Sequence, residues 1–243
     1  SALAQSLNIP MVKVMQKLGV PQSIEAAQRL GISTIKTADA DKLGLSLALG
    51  AAEVKPLEMT AAYSAFANAG NYNEPTAIQS IRDKYGDTIY RHEVKSKRVQ
   101  SEQASYIMSN ILSDNAARAP SFGNLLTING RDVAVKTGST DDDKDAWTIG
   151  YTPSLAIGVW VGNNDHQPMT AGGGTQAGPI WRKSMMAFLG DTPNENFRRP
   201  DGILEVSVCR GNGLRATGNA SNTYKEVFMS GTVPVDSCSD SSS

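Results

Sequence analysis

The residues best suited to chemistry in this sequence form one short stretch, Lys136-Thr137-Gly138-Ser139, followed by Thr140. They place an ammonium group, a hydroxyl, a bare backbone position and a second hydroxyl next to one another. Such a set suits an anionic, extended ligand, because hydroxyls and an ammonium can hold a carboxylate while the ligand backbone pairs with a strand edge. An ordinary hairpin strand with an exposed lysine is the alternative, since a tripeptide such as Lys-Thr-Gly recurs by chance.

A second pair of polar residues, Ser6 and Asn8, lies near the start of the chain, just before an apolar segment at helical spacing (residues 11–18). Two positions apart, the two residues can present a hydroxyl and a carboxamide together. Both types are also good helix N-caps, so plain capping is the alternative interpretation of this pair.

The elements that must position these residues follow from hydrophobic periodicity. Residues 132–140 read as a strand, and apolar runs rich in Trp, Ile and Val at 146–150 and 155–162 complete a three-stranded antiparallel meander. Helical spacing of apolar residues is found in 56–70, 101–112 and 178–189, and residues 71–97 suggest a small β excursion. The three glycines at 172–174 predict a flexible loop. The pattern therefore predicts an α+β fold with helices packed on an antiparallel sheet.

Composition excludes several classes of function. The chain has 243 residues, of which 40% are hydrophobic and 19% charged, as expected of a globular protein, and its net charge is -1. A nucleic-acid surface normally needs a basic excess, so we expect no nucleic-acid partner. No apolar run reaches the roughly 18 residues that a membrane-spanning helix needs. The acidic run at 141–145 is short and interrupted by Lys144, which favours a solvated loop over a metal site.

The composition changes near residue 193, where prolines and glycines become frequent, and the chain ends in a serine run. We therefore predict one domain over residues 1–192 and an irregular extension over 193–243. The two cysteines, Cys209 and Cys238, both lie in this extension. A pair of free thiols and a disulfide formed in an oxidising compartment are both compatible with the sequence.

Taken in order along the chain, the motifs resemble the transpeptidase domain of bifunctional (class A) penicillin-binding proteins over about residues 1–190. Each motif is weak alone, but the ordered set is specific. It comprises Ser6-x-Asn8, Ser46-Leu-Ala-Leu-Gly50, Phe66-Ala-Asn-Ala-Gly70, Val133-Ala-Val-Lys-Thr-Gly-Ser-Thr140, Asp145-Ala-Trp147 and Gly158-Val-Trp-Val-Gly162.

The resemblance implies a serine-type D-alanyl-D-alanine transpeptidase or carboxypeptidase. In that family the Ser of an S-x-x-K motif is acylated by the D-alanyl-D-alanine end of a peptidoglycan stem peptide, and an amine from another stem then takes the acyl group. The expected partners are stem peptides and β-lactam antibiotics, and no metal or organic cofactor is implied. The expected location is outside the bacterial cytoplasmic membrane.

Residue by residue, the resemblance assigns catalytic roles to Ser6, Asn8 and Lys136. Ser6 would belong to the proton relay, Asn8 would bond the substrate backbone, and Lys136 would supply positive charge. The stretch that binds substrate would be Thr137, Gly138, Ser139 and Thr140. Within it, the hydroxyls of Thr137 and Ser139 would hold the terminal carboxylate, and the Ser139 N–H would be one oxyanion donor.

The sequence departs from the family pattern at its start. The S-x-x-K motif must precede S-x-N, and too few residues precede Ser6 to contain it. We therefore expect the nucleophile, the first helices, part of the sheet, a glycosyltransferase domain and any membrane anchor to lie upstream of this chain. On that expectation the chain alone is inactive.

A rival alignment uses Ser33-Thr-Ile-Lys36, Ser113-Asp-Asn115 and Lys136-Thr-Gly138, which is the motif order of class A β-lactamases. It is disfavoured because Ser33 precedes a polar stretch rather than opening a buried helix. In addition, Ser113 lies too close in sequence to Lys136 for a helical domain to fit between them. A non-enzymatic β-lactam-sensing module is a further alternative, which only upstream sequence would distinguish from a transpeptidase.

Overall fold

The computed structural model describes residues 2–218 and 220–239. Within them the chain forms the helices α1 (Asn8–Leu18), α2 (Val20–Arg29), α3 (Ala40–Leu43), α4 (Pro56–Ala67), α5 (Glu102–Ser113), α6 (Asn115–Phe122) and α7 (Gly173–Leu189). The strands are β1 (Asn71–Asn73), β2 (Ser80–Arg82), β3 (Thr88–Arg91), β4 (Ser96–Arg98), β5 (Ala134–Ser139), β6 (Asp145–Tyr151), β7 (Ala156–Gly162), β8 (Ile203–Cys209), β9 (Arg215–Ala216), β10 (Thr223–Met229) and β11 (Ser237–Cys238). Short 3-10 helices occupy Thr37–Asp39, Gly44–Leu49 and Asp141–Asp143.

The predicted meander is present as an antiparallel sheet in the order β5-β6-β7. On one face of the sheet, Val135 of β5 packs in a buried cluster with Trp181 and Met185 of α7. On the other face, Ala134 and Tyr151 pack against side chains from α4 and α5. This sandwich of helices around an antiparallel sheet confirms the predicted α+β fold.

The start of α7 differs from the prediction. The helix begins at Gly173 rather than near residue 178, so the glycine run is not a flexible loop. A Cβ at Gly173 would lie 2.2 Å from the carbonyl oxygen of Gly138 and 2.6 Å from that of Trp147. The absence of side chains thus lets the helix start directly against the sheet.

The region between α4 and α5 forms the predicted small β excursion. Strand β1 pairs with β4, and β2 pairs with β3 as a separate antiparallel hairpin. All residues of β2, β3 and β4 are exposed, so this region projects from the body of the domain.

The prediction of an irregular extension is wrong between residues 203 and 238, where the chain forms four strands. Strand β8 pairs with β10 in an antiparallel register of seven residues, and β9 and β11 complete a four-stranded sheet. The prolines and glycines that suggested irregularity lie mainly between the strands. Cys209 and Cys238 form a disulfide. The terminal serine run at 241–243 lies outside the described residues.

The segment that joins the two parts is fastened to the domain body. Arg131 donates to the carbonyl of Pro193 at 2.7 Å, and the Asp132 N–H donates to the Asn194 side chain at 2.8 Å. The ring of Phe197 stands edge-on to that of Tyr151, with 5.6 Å between centroids. The division at residue 192 remains a prediction. In the part of the chain that the structure covers, no helix combines the length and apolar character needed to cross a bilayer.

Candidate active site

The two polar groups singled out in the sequence line the same cleft. Its volume is about 540 Å³, and it lies between α1 and the edge of the sheet formed by β5. Ser6 and Asn8 contribute from one side, and Lys136–Thr140 from the other. Among the described residues, β5 pairs only with β6, so the edge of β5 that faces the cleft is free to accept an extended ligand.

Lys136 connects the two sides of the cleft. Its Nζ donates to the Oγ of Ser6 at 2.8 Å and to the carbonyl of Thr137 at 2.6 Å. Burial lowers the pKa of the Lys136 ammonium from 10.5 to about 8, because a low-dielectric surrounding disfavours the charged form. The arrangement places a readily deprotonated amine against a hydroxyl, which is the geometry that a proton relay requires.

The backbone at Ser6 is in an unusual conformation. Its φ of 60° lies in the left-handed region, which residues other than glycine rarely occupy. A turn holds it there, with the Ser6 N–H bonded to Leu3 and the Leu7 N–H bonded to Ala2. Strain of this kind is concentrated at functional sites, where it orients a side chain. Here the strained residue is Ser6, whose side chain contacts Lys136.

The capping alternative for Ser6 and Asn8 is not what the structure contains. The N-cap of α1 is Leu7, and no side chain caps this helix. Asn8 is the first residue of the helix and is exposed, and its carboxamide makes no hydrogen bond to the residues described. The carboxamide is therefore available to a ligand in the cleft.

The three hydroxyls at the end of β5 differ in their hydrogen bonding. In the described part of the chain, the Thr137 hydroxyl makes no hydrogen bond. The Ser139 Oγ accepts from the Gly173 N–H at 2.8 Å, which leaves its proton free. The Thr140 Oγ1 donates to Asp145 at 3.0 Å and accepts from the Asp145 N–H at 2.8 Å. The Thr140 proton is therefore donated within the turn between β5 and β6, and the assignment of Thr140 to substrate binding stays a prediction.

Gly138 lies opposite Trp147 in the antiparallel register. A Cβ at Gly138 would lie 3.5 Å from the Cβ of Trp147, an ordinary contact distance. Packing within the chain therefore does not require glycine here. Its absent side chain instead leaves the backbone of the free edge open towards the cleft.

The rest of the cleft wall is mostly apolar. It is formed by side chains of α1 and of the segments that face it, namely Met11, Val14, Met15, Leu18, Leu47, Leu49, Val54 and Met59. Several are well exposed, with Leu18 at 61%, Val14 at 48% and Leu49 at 47%. A contiguous exposed apolar surface of this kind is typical of a site that another segment or ligand covers.

The serine of the rival alignment is engaged elsewhere. The Ser33 hydroxyl donates to Glu58 at 2.6 Å, and its N–H donates to the same carboxylate at 2.8 Å. These bonds lower the pKa of Glu58 to about 2. Lys36 donates to the carbonyl of Ser33, not to its hydroxyl. Ser33 and Lys36 therefore do not form a nucleophile–base pair, and neither lines the cleft.

The Ser-Asp-Asn of the rival alignment forms the corner between α5 and α6. Asp114 caps α6 by accepting from the Ala117 N–H at 2.8 Å. The Asn115 side chain accepts from Arg118 and, at 3.2 Å, from Thr127. The side chains of Asp114 and Asn115 therefore form hydrogen bonds within this corner and do not contribute to the cleft.

The acidic run forms the short 3-10 helix Asp141–Asp143 and the start of β6. Asp145 uses its second carboxylate oxygen to accept from the indole N–H of Trp160 at 2.8 Å. No group of three or more His, Cys, Asp or Glu side chains that could hold a metal ion occurs in the described ranges.

Two residues beneath the site carry no motif in the sequence. Gly173 bonds Ser139, and Thr148, a fully buried residue of β6, donates its hydroxyl to the Gly173 carbonyl at 3.1 Å. A hydroxyl within an otherwise apolar predicted strand was the available signal for Thr148. Its partner could not be inferred because Gly173 is 25 positions away.

Comparison with known proteins identifies two family matches. The penicillin binding protein transpeptidase domain matches residues 1–186, and the penicillin-binding protein 1A C-terminal domain matches residues 199–243. Penicillin-binding protein 1A of Aquifex aeolicus is 32% identical over 246 residues, which cover 98% of this chain and 32% of that protein. Penicillin-binding protein 1A/1B of Bacillus subtilis is 30% identical over 253 residues, covering 96% of this chain and 27% of the relative.

Solved structures show the same similarity. The crystal structure of penicillin-binding protein 1A from Haemophilus influenzae superposes with a TM-score of 0.85 at 27% identity and covers 97% of this chain and 40% of its own. PonA1 from Mycobacterium tuberculosis in complex with penicillin V gives a TM-score of 0.71 at 27% identity, covering 82% of this chain and 58% of that one. The chain spans about a third of the length of the curated relatives it matches. Since the transpeptidase family model covers most of its length, the chain belongs to the penicillin-binding protein transpeptidase family.

Proposed function

We propose that this chain supplies the substrate-binding half of a D,D-transpeptidase active site that cross-links peptidoglycan stem peptides through a serine acyl-enzyme. The observation that carries the proposal is the hydrogen bond between Lys136 and Ser6 beside the free edge of β5. An extended peptide ending in D-alanyl-D-alanine has the backbone, the carboxylate and the scissile amide that such a cleft could hold.

In the proposed complex the peptide pairs with β5. Its terminal carboxylate accepts hydrogen bonds from Thr137 and Ser139 and is attracted by the charge of Lys136. The Asn8 carboxamide bonds the peptide backbone. The Ser139 N–H is one donor to the oxyanion that forms on the attacked carbonyl.

The covalent step requires a nucleophilic serine, which we propose is none of the serines that line the cleft. The serine oxygen attacks the carbonyl carbon of the penultimate D-alanine, and the bond to the terminal D-alanine nitrogen breaks. The serine proton reaches the departing amine through the relay of Ser6 and Lys136. An amine from another stem peptide then takes the acyl group and frees the serine.

The apolar wall of the cleft suggests how the nucleophile is presented. Val14, Leu18 and Leu49 are exposed in the cleft that Ser6 also lines, as one expects of a surface that packs against the apolar face of a helix. We propose that a segment upstream of this chain supplies such a helix with the S-x-x-K serine. The isolated chain is then inactive.

The proposed location is the outer side of the bacterial cytoplasmic membrane, where peptidoglycan is assembled. The disulfide between Cys209 and Cys238 supports an oxidising compartment. β-Lactams are proposed ligands of the same cleft, because they carry a carboxylate and an acyl-transferring amide. Any glycosyltransferase activity would reside upstream.

A labelling experiment tests this function. The chain and a form extended upstream are incubated with a fluorescent penicillin, and adducts are mapped by peptide mass spectrometry. A stable label only in the extended form, on a serine before residue 1, is the expected result. A label on Ser33, or rapid turnover of penicillin in place of trapping, would overturn the proposal in favour of a β-lactamase-like hydrolase.

The role of Lys136 is tested in the extended form. Lys136→Ala should slow acylation about 100- to 1,000-fold, as the loss of one preorganised group at an oxyanion site does. Lys183→Ala is the matched control, since Lys183 is exposed on α7, and it should leave the rate unchanged. An unchanged rate in Lys136→Ala would refute the assigned role.

A further inference from the structure

We propose that Thr148 is a positioning residue for Ser139 and that it acts through the first residue of α7. The inference rests on the proposed function, in which the Ser139 hydroxyl donates to a ligand carboxylate. It concerns how that hydroxyl is oriented. The described residues form a continuous path of hydrogen bonds from the interior of the sheet to the cleft, and this path ends at Ser139.

The path has two steps. The Thr148 hydroxyl, fully buried on β6, donates to the carbonyl of Gly173 at 3.1 Å. The N–H of Gly173 donates to the Oγ of Ser139 at 2.8 Å. A buried hydroxyl needs a hydrogen-bond partner, and the first N–H groups of a helix have none within the helix. The Gly173 carbonyl is the partner of the Thr148 hydroxyl, and the Ser139 Oγ is the partner of the Gly173 N–H.

The second step determines what Ser139 can offer a ligand. A hydroxyl has one proton and two lone pairs. Because the Gly173 N–H occupies a lone pair of Ser139, the proton remains available, and in the described part of the chain it is donated to no other group. Ser139 is exposed at the end of β5, so this proton can reach a carboxylate in the cleft.

Packing around the helix start leaves little tolerance for displacement. A Cβ at Gly172 would lie 2.3 Å from the Ser139 Oγ, and one at Gly173 would lie 2.2 Å from the carbonyl oxygen of Gly138. The helix start therefore rests directly on the backbone of β5. A small shift of Gly173 changes both the distance and the direction of its N–H relative to Ser139, and the bond from Thr148 opposes such a shift.

The test uses the full-length protein and the second-order rate of acylation by benzylpenicillin and by its methyl ester. The ester keeps the reactive ring but lacks the carboxylate. Thr148→Val removes the hydroxyl at nearly constant shape and should slow acylation by the acid about five- to tenfold, the effect of one weakened hydrogen bond. The ester rate should stay within about twofold, and Thr148→Ser, which retains a hydroxyl, should restore the preference for the acid.

The outcomes separate the two proposals. If the unmodified protein does not prefer the acid, carboxylate recognition by the cleft fails, and the proposed function with it. If it prefers the acid and Thr148→Val keeps that preference, only the positioning role is refuted. Equal loss for acid and ester would likewise refute it, since a general structural defect does not depend on the carboxylate.

Two further variants keep the test decisive. Ser139→Ala should reduce the preference for the acid at least as much as Thr148→Val does, and Thr148→Val added to it should reduce that preference no further. Independent, additive losses would contradict the path through Gly173. Thr148→Ala, which also lacks the hydroxyl, replaces Thr148→Val in the same comparison if the valine variant does not fold.

Discussion

The cleft end of the central sheet and the sheet of the C-terminal extension differ in the sequence separation of the contacts that stabilise them. At the cleft, the contacts that matter join distant positions: Lys136 and Ser6 are 130 residues apart, and Gly173 and Ser139 are 34 apart. In the extension, β8 pairs directly with β10, and the disulfide closes a separation of only 29 residues. The site is a product of the assembled domain, whereas the extension is held by local pairing.

This difference predicts where mutations act. A change in the extension should lower its own stability and leave the cleft intact. A change at the junction of β5, β6 and α7 should affect the cleft even when the altered residue contacts no ligand. The two regions meet at several places, including the segment around Phe197, which packs on Tyr151, and the bond from Gln103 of α5 to the carbonyl of Asp201.

The largest expected effect comes from removing the disulfide. Replacing Cys209 and Cys238 by Ala should lower the free energy of unfolding of the extension by about 3–4 kcal/mol, since a cross-link over a loop of this length restricts the unfolded chain. Urea unfolding with and without reductant measures the loss. Penicillin labelling of an upstream-extended form should be unaffected, and a parallel loss of labelling would contradict the independence of the two regions.

The next effect is expected at the start of α7. Gly173→Ala should destabilise the domain by about 2–3 kcal/mol, because its Cβ would overlap the backbone carbonyls of Gly138 and Trp147 and force a backbone shift. Gly174→Ala is a matched control. Its Cβ would lie 3.4 Å or more from side-chain atoms of Phe122 and Leu125, and alanine is the better helix former.

Urea unfolding of both variants measures this comparison. Gly174→Ala should be neutral or slightly stabilising. Equal stability of Gly173→Ala and Gly174→Ala would show that the contact between α7 and β5 is looser than the distances imply, and it would weaken the comparison between the two regions.

The distinction between local and distant contacts also explains which features of each region could be predicted from sequence. Alternating and helical apolar spacing predicted the β5-β6-β7 meander and α4, α5 and most of α7, because these patterns depend on which face is buried. The order of motifs predicted that Ser6, Asn8 and Lys136 belong together. The start of α7 depends on bonds that join Gly173 to Thr148 and Ser139, which are 25 and 34 positions away in sequence, and no local pattern specifies such partners.

The extension was mispredicted for a different reason. Two of its strands, β9 and β11, have only two residues each, and no residue of β10 is fully buried, so the burial pattern that marks a strand is weak. The prolines and glycines between them gave a stronger signal of irregularity. The pairing of Cys209 with Cys238 was compatible with the sequence but could not be distinguished from two free thiols.

A smaller effect should couple the two regions. Phe197→Ala removes the half-buried ring that packs on Tyr151 and should cost about 2 kcal/mol, less than the loss of a fully buried phenylalanine. Phe188→Ala is the control, because Phe188 is 75% exposed and should change stability by less than about 0.5 kcal/mol. Urea unfolding of the two variants gives both values. Equal losses would mean that Phe197 does not fasten the extension to the domain.

The smallest expected effect is the pH dependence contributed by Lys136. Burial lowers its pKa to about 8, from an ordinary value of 10.5. Between these values the unfolded chain binds more protons than the folded one, so the free energy of unfolding rises with pH, by about 1 kcal/mol from pH 8 to 9. The pKa of Tyr63 is raised to about 12, so this residue does not ionise in that range. Urea unfolding of the unmodified chain and of Lys136→Met at pH 7, 8 and 9 isolates the contribution. The unmodified chain should gain stability relative to the variant as the pH rises, and parallel pH profiles would show that the ammonium of Lys136 is solvated in the cleft.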